Sequence, residues 1–176
     1  MKARPALIFA VAVLLALPLF GFAQKQSAPA PQAQSQQPAQ NANANAQNED
    51  DVREAVFRYQ FKELNVQVAY YFISIDNKNP TQAFLDRFRE NSPEVRPAAD
   101  AHFEKKPIPG YVERHNDKQG IMFRQGAIRW NSETQADVEG GYECGDLCDP
   151  ANGAYHVAHT ADGWNVTSFD PAKPHS

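Results

Sequence analysis

Gln135-Ala136-Asp137-Val138-Glu139-Gly140-Gly141-Tyr142 alternates without a break, with Ala136, Val138, Gly140 and Tyr142 on one phase and Gln135, Asp137, Glu139 and Gly141 on the other. Successive side chains of a strand point to opposite faces, so this run predicts a strand with one face in a core and the other in water. Tyr155 and Val157 carry the same alternation beyond the next loop, and Asp162-Gly163 separates them from Trp164 and Val166. An Asp-Gly pair between alternating apolar residues marks a hairpin turn. Upstream, residues 121–130 read as another strand, whose apolar phase changes across Gly126 as it does at a bulge. The last third of the chain is therefore expected to be a four-strand antiparallel meander.

The residues before the meander supply its cover. Asp50 and Asp51 stand where a helix N-terminus favours negative charge, and residues 52–64 contain no Gly or Pro, so a helix is expected from here. On a helical wheel Val52, Ala55, Val56 and Tyr59 share one face, and Phe57, Phe61 and Leu64 share another. Such a helix needs cover on two sides. It nests in a curved sheet with a second helix alongside, or it offers one aromatic face to a partner; nesting is the ordinary use of such stripes. Residues 66–75 are rich in β-branched and aromatic side chains on both alternation phases, as in a central strand or one with a bulge. Asn79 as N-cap, Pro80 at the first helical position and Gln82 completing a capping box predict a second helix over 80–90. Thr81, Phe84, Leu85 and Phe88 would face inward, and Pro93 would end it. Residues 95–109 read as irregular apart from a short strand near Val95, and 110–115 as a strand ended by the turn-like 116–120. The expected fold class is α+β: a curved antiparallel sheet of about four to six strands, ending in the meander and packed on one or two N-terminal helices.

The remaining segments read as address and tether. Lys2 and Arg4 precede an uncharged apolar run, residues 6–20, and Gly21-Phe22-Ala23 follows with small residues at the positions a signal peptidase reads. Residues 1–23 are thus expected to be a signal peptide cleaved between Ala23 and Gln24; an uncleaved anchor is the alternative, disfavoured because about 20 apolar residues are needed to span a bilayer. Residues 24–49, built from Gln, Ala, Asn, Pro and Ser with no aromatic side chain, read as a disordered linker. That leaves a single domain over 50–170 and a flexible tail over 171–176. The expected location is secreted or periplasmic, with no stable membrane span after cleavage. Removing Lys2 and Arg4 from the 17 basic residues leaves 15 against 21 acidic ones, a net of −6. Without a basic run or stripe, nucleic acid is not an expected partner.

Few residues carry the pattern of a known chemistry. Cys144 and Cys148, the two cysteines, flank Gly145-Asp146-Leu147, and in an oxidising compartment they should pair. The alternative is a redox pair, but that chemistry favours Cys-x-x-Cys at a helix N-terminus, and here three residues intervene in a hairpin loop. Glu143, Asp146 and Asp149 cluster on this loop, with His156 and His159 beyond it. Strand residues three apart face opposite ways, so the two histidines should not converge on one metal, and the acidic loop lacks the calcium-loop pattern. His102, His115 and His175 have no partner that the sequence supplies. No nucleophile elbow, phosphate-cradling glycine loop or cofactor motif appears, so no catalytic, cofactor or metal residue is assigned. Asn165-Val166-Thr167 matches a glycosylation acceptor but falls inside an expected strand.

The order helix, strand, helix, meander, with Glu139-Gly140-Gly141-Tyr142-Glu143-Cys144-Gly145 running into a hairpin that ends at Gly163-Trp164-Asn165-Val166, resembles a family of small secreted bacterial proteins to which no activity is attached. It is also similar to the cystatin-like and NTF2-like class, in which a strongly curved sheet wraps a helix. That class includes isomerases, dehydratases, ligand binders and interaction modules, so the resemblance implies a fold and leaves the activity open. The leading expectation is an exported, non-enzymatic binding or interaction module whose partner is a small apolar molecule or a protein. The alternatives are an NTF2-like enzyme with acid–base chemistry in the cup, and a structural component of the cell envelope. A closed apolar pocket holding a perturbed carboxylate or histidine favours catalysis, whereas a filled cup with an apolar patch outside it favours a partner.

Overall fold

Helix α1 (Gln37–Glu63) is the element around which the other residues are arranged in the computed structural model, which describes residues 37–64 and 66–173. Residues 1–36, with the expected cleavage point Ala23–Gln24, and His175 lie outside the described residues. The helix starts upstream of Asp50, so residues 37–49 of the stretch read as a disordered linker form its first turns. Ala and Gln are good helix formers, Pro38 falls in the first turn where its missing N–H loses no bond, and a helix already held by packing extends at low cost.

Eight strands follow in one sheet, more than the four to six expected: β1 (Tyr70–Ile75), β2 (Glu94–Pro97), β3 (Ala101–Glu104), β4 (Gly110–Glu113), β5 (Gln119–Ser132), β6 (Gln135–Glu143), β7 (Ala151–Thr160) and β8 (Gly163–Pro171). The main order is β2-β1-β5-β6-β7-β8. The sheet is open, curved and mostly antiparallel, though β1 runs parallel to both β2 and β5. β1 is shorter than the expected 66–75 but has the expected central character, with Tyr70, Tyr71, Phe72 and Ile73 buried on both faces. β4 pairs with the first residues of β5, and β6 takes over from Met122, so β4 and β6 lie end to end along one flank of β5. The meander β5-β6-β7-β8 has the expected order, and the register of β5 against β6 shifts between Gln125 and Ile128, around Gly126.

Two local expectations are corrected. The second helix is α2 (Gln82–Leu85) followed by a 3-10 turn over Asp86–Phe88, and its N-cap is Thr81, whose hydroxyl accepts from the Phe84 N–H at 3.2 Å. Asn79 instead accepts from the Ala99 N–H at 3.0 Å and ties this loop to the far end of β2. The segment 95–109 is more regular than expected, because β2 and β3 are four-residue strands joined by a 3-10 turn over Ala98–Asp100. β2 tolerates Pro97 because it is an edge strand, where a missing ladder N–H is least costly. The peptide bonds before Pro93 and Pro107 are cis.

The core divides along the two faces of α1 that the sequence distinguishes. Phe57 and Phe61 pack with Tyr71, Ile73, Phe84, Phe88, Ile121 and Phe123. Val52 and Val56 pack with Ala136, Val138, Tyr155 and Val157, flanked by Ala55, Tyr59, Trp164, Val166 and Phe169. Each buried aromatic or branched side chain stabilises the fold by roughly 1.5–3 kcal/mol. Nesting, not an exposed aromatic face, is therefore how the two-faced helix is used. A third cluster of Tyr70, Phe72, Ala101 and Met122 covers the convex side of β1 and β5.

Candidate functional site

The concave face has a closed half and an open half. In the closed half Phe57 touches Phe61, Phe84 and Phe88 with ring centroids 6.1–6.2 Å apart, and Phe61 lies 4.6 Å from Tyr71 and 4.9 Å from Phe123. Cys144 is fully buried in this cluster and bonded to Cys148, with Cα atoms 5.7 Å apart, inside the range a disulfide needs. Gly145 follows at φ +60°, where a side chain would also strike the Pro109 carbonyl. The Asp146 N–H donates to that carbonyl at 2.9 Å, so the cysteine loop fastens β6 to the start of β4.

The open half is produced by the bulge. The phase shift near Gly126 puts Ile128 opposite Val138 and Trp130 opposite Ala136, so both join the concave face. The helix residues Val52, Ala55, Val56 and Tyr59 cover most of that surface, yet Trp130 remains 43% exposed. Its ring meets Trp164 edge to face at 5.6 Å, and Trp164 meets His159 at 5.1 Å, an arrangement that holds the indole rigid. A groove of about 720 Å³ lies between this platform and α1, lined by Asn48, Glu49, Trp130, Ser132, Glu133 and Thr134. The His159 N–H donates to the Thr134 carbonyl at 2.9 Å, which anchors the β5–β6 hairpin that forms one wall.

The other wall is fixed by Arg53. Its side chain is almost fully buried, and its guanidinium donates to Glu49 at 2.9 Å, to the Gly126 carbonyl at 2.9 Å and to Asp76 at 3.2 Å. One cation thus ties helix, bulge and the β1 turn together. Gln125 reinforces the joint by donating to the Arg53 carbonyl at 2.9 Å. Deeper in the cup Gln60 donates to the Gly141 carbonyl at 3.4 Å, and burial pushes the Tyr155 hydroxyl up to about 12 despite its bond to Gln60. The interior is filled by side chains of α1, and its buried polar groups among the described residues include the Arg53 guanidinium, the amides of Gln60 and Gln125, and the Tyr155 phenol, which stays protonated.

The convex face carries two further charged clusters. His156 lies between two carboxylates, 2.7 Å from Asp137 through Nδ1 and 3.0 Å from Asp170 through Nε2. Donation from both ring nitrogens requires the imidazolium, and the bonds to Asp170 and then Asp137 raise the histidine above its ordinary value. Asn131, and after it His156, hold the Asp137 carboxyl below the usual range against the opposing effect of burial. Glu113 is buried; burial works to raise its carboxyl, but the His115 and Asn116 N–H groups at 2.8 and 3.0 Å, with the Arg96 charge, bring it below the usual range. Arg96 donates to Glu113 at 3.1 Å and lies over the Tyr70 ring, which makes this a structural tie.

Of the residues singled out from sequence, Cys144 and Cys148 are joined. Glu143, Asp146, Asp149, His156 and His159 are not gathered, and among the described residues no group of three or more could hold a metal. His156 faces outward opposite Asp137, while His159 faces inward against Trp164, as strand alternation requires. His102 bonds Glu104 at 2.9 Å on its own strand. The amide of Asn165 is occupied by Thr160 and the Gly163 carbonyl within β8. No family model, curated protein or solved structure matches the chain. Sequence reasoning did not single out the groove, and its one signal was the phase change at Gly126, which sends Trp130 to the inner face.

Proposed function

We propose that the protein is an exported, non-enzymatic binding module that engages its partner through the Trp130 groove. The observation carrying this reading is a filled cup beside an open aromatic patch: α1 occupies the concave face with Val52, Val56, Phe57 and Phe61, while Trp130 stays exposed over a groove of about 720 Å³. A rigid aromatic platform with a few polar groups around it, at a volume within the range of ligand pockets, is the ordinary make-up of a binding site. Acid–base catalysis in the manner of the NTF2-like enzymes would need a carboxylate or histidine enclosed in the cup; among the described residues the buried polar groups there include Arg53, Gln60, Gln125 and Tyr155, and the inward-facing His159 is exposed at the rim. Membership of the cystatin-like and NTF2-like class stays part of the proposal, supported by the helix within a curved sheet. Export is supported by the disulfide between Cys144 and Cys148 and by the pattern of residues 1–23. Among the described residues no helix is long and apolar enough to cross a membrane.

The test is a thermal-shift screen of the full chain against amines, carboxylates, sugars and short peptides, repeated on Trp130→Ala. Binding to the native state raises the melting temperature, and the reading expects at least one ligand whose shift vanishes in the variant. Shifts that persist unchanged in Trp130→Ala, or a screen with no Trp130-dependent ligand, overturn it. Mass spectrometry of the protein recovered from its producing cells tests export: a mature N-terminus at Gln24 supports it, and retention of Met1 counts against it.

A further inference from the structure

Among the described residues, the charged side chains lining the groove are Glu49 and Glu133, both acidic. Glu133 sits on the exposed hairpin turn and makes no ion pair among the described residues. Glu49 is bonded to Arg53, but that guanidinium is buried and shared with Asp76, so two carboxylates face one cation that no ligand can reach. The nearest basic residue on the hairpin, Arg129, lies opposite Asp137 on the outer face and pairs with Glu139 there. The chain as a whole carries a net charge of −4. An electron-rich indole face between carboxylates is the arrangement that attracts a cation, through the ring quadrupole and the acids together.

From this charge complementarity we infer that the groove receives a basic peptide segment, with a Lys or Arg side chain over Trp130 between Glu49 and Glu133; the inference rests on the groove being the binding site. A peptide suits the volume better than a lone amine, because about 720 Å³ exceeds what one cationic side chain fills. Asn48, Ser132 and Thr134 line the same groove and supply amide and hydroxyl groups for a peptide backbone. The net negative charge of the chain speeds encounter with a basic partner and makes the association sensitive to salt.

The experiment titrates the full chain with the amidated pentapeptide Gly-Arg-Leu-Lys-Gly, with the same peptide carrying Glu in place of Arg and Lys, and with chitotriose as a neutral probe, following the heat of binding by calorimetry. The basic peptide should bind and the acidic one should not. Trp130→Ala should weaken the basic peptide about tenfold, with Trp130→Phe in between, as expected when a cation loses an indole face. Glu133→Gln, on an exposed turn, should weaken it about threefold, and raising salt from about 0.05 M to about 0.3 M should weaken it further. Circular dichroism checks that each variant is folded. Equal binding of the acidic peptide, or an unchanged affinity in Trp130→Ala, overturns the inference. If chitotriose binds through Trp130 and the basic peptide does not, the cationic partner falls while the groove reading stands; if neither probe nor the wider screen depends on Trp130, both fall.

Discussion

The two halves of the concave face are built from the same materials and put to different use. Around Phe57 the helix, α2, β1 and β5 close over one another, and the Cys144–Cys148 loop fastens β6 to β4. Around Trp130 the same helix and the same strand β5 diverge beyond the bulge, and Arg53 sets the wall against which they part. One half therefore encloses its aromatic side chains and the other leaves Trp130 exposed over a groove. The division comes from where the sheet is interrupted, since Gly126 changes which side chains point inward.

Phe57→Ala should break this comparison most severely. A fully buried phenylalanine touching three other rings should cost about 3–5 kcal/mol in urea unfolding. Trp130→Ala, at the half-exposed position, should cost no more than about 1–2 kcal/mol and act chiefly on binding. Equal costs would mean that the open half is as structural as the closed one. Reducing the disulfide should lower stability by about 2 kcal/mol, the worth of so small a loop on the entropic model, and leave affinity at the groove unchanged. A change in affinity on reduction would show that the two halves are mechanically coupled.

The smallest effect concerns the sheet beneath the open half. Asp170 and Asp137 raise His156 above its unfolded value near 6.5. Its contribution is fully present below that value and is lost as pH rises through the higher folded value, since the folded state then gives up a proton it held more tightly. Urea midpoints followed upward from pH 6 should fall across this window, and His156→Gln should flatten that part of the curve. An identical slope in the variant would show that another group is responsible.

Much of the frame was legible because it depends on period alone. Ala136, Val138 and Tyr142 alternate, Val52 and Phe57 fall on separate helical faces, and the two cysteines lie within reach of each other. What could not be read depends on registers between strands. Asp137, His156 and Asp170 are far apart in sequence and meet only because three strands align them. β2 and β3 are too short for a period to show, and the prolines in β2 and in the segments flanking the pair argue for irregular chain. Thr81 outcompeted Asn79 as the cap because Asn79 was drawn to the Ala99 N–H, a contact no local pattern contains. The groove needed both kinds of knowledge: the phase change was visible, but not the point along α1 at which helix and hairpin separate.

Val52 and Val56 of α1 share one cluster with Val166 and Phe169 of β8, the last strand. During synthesis these partners emerge with every other strand of the sheet between them. A nascent chain halted before Gly163 therefore holds a helix with only one of its two sides fully covered. Closing the second side is a long-range event, made after the intervening strands have been laid down.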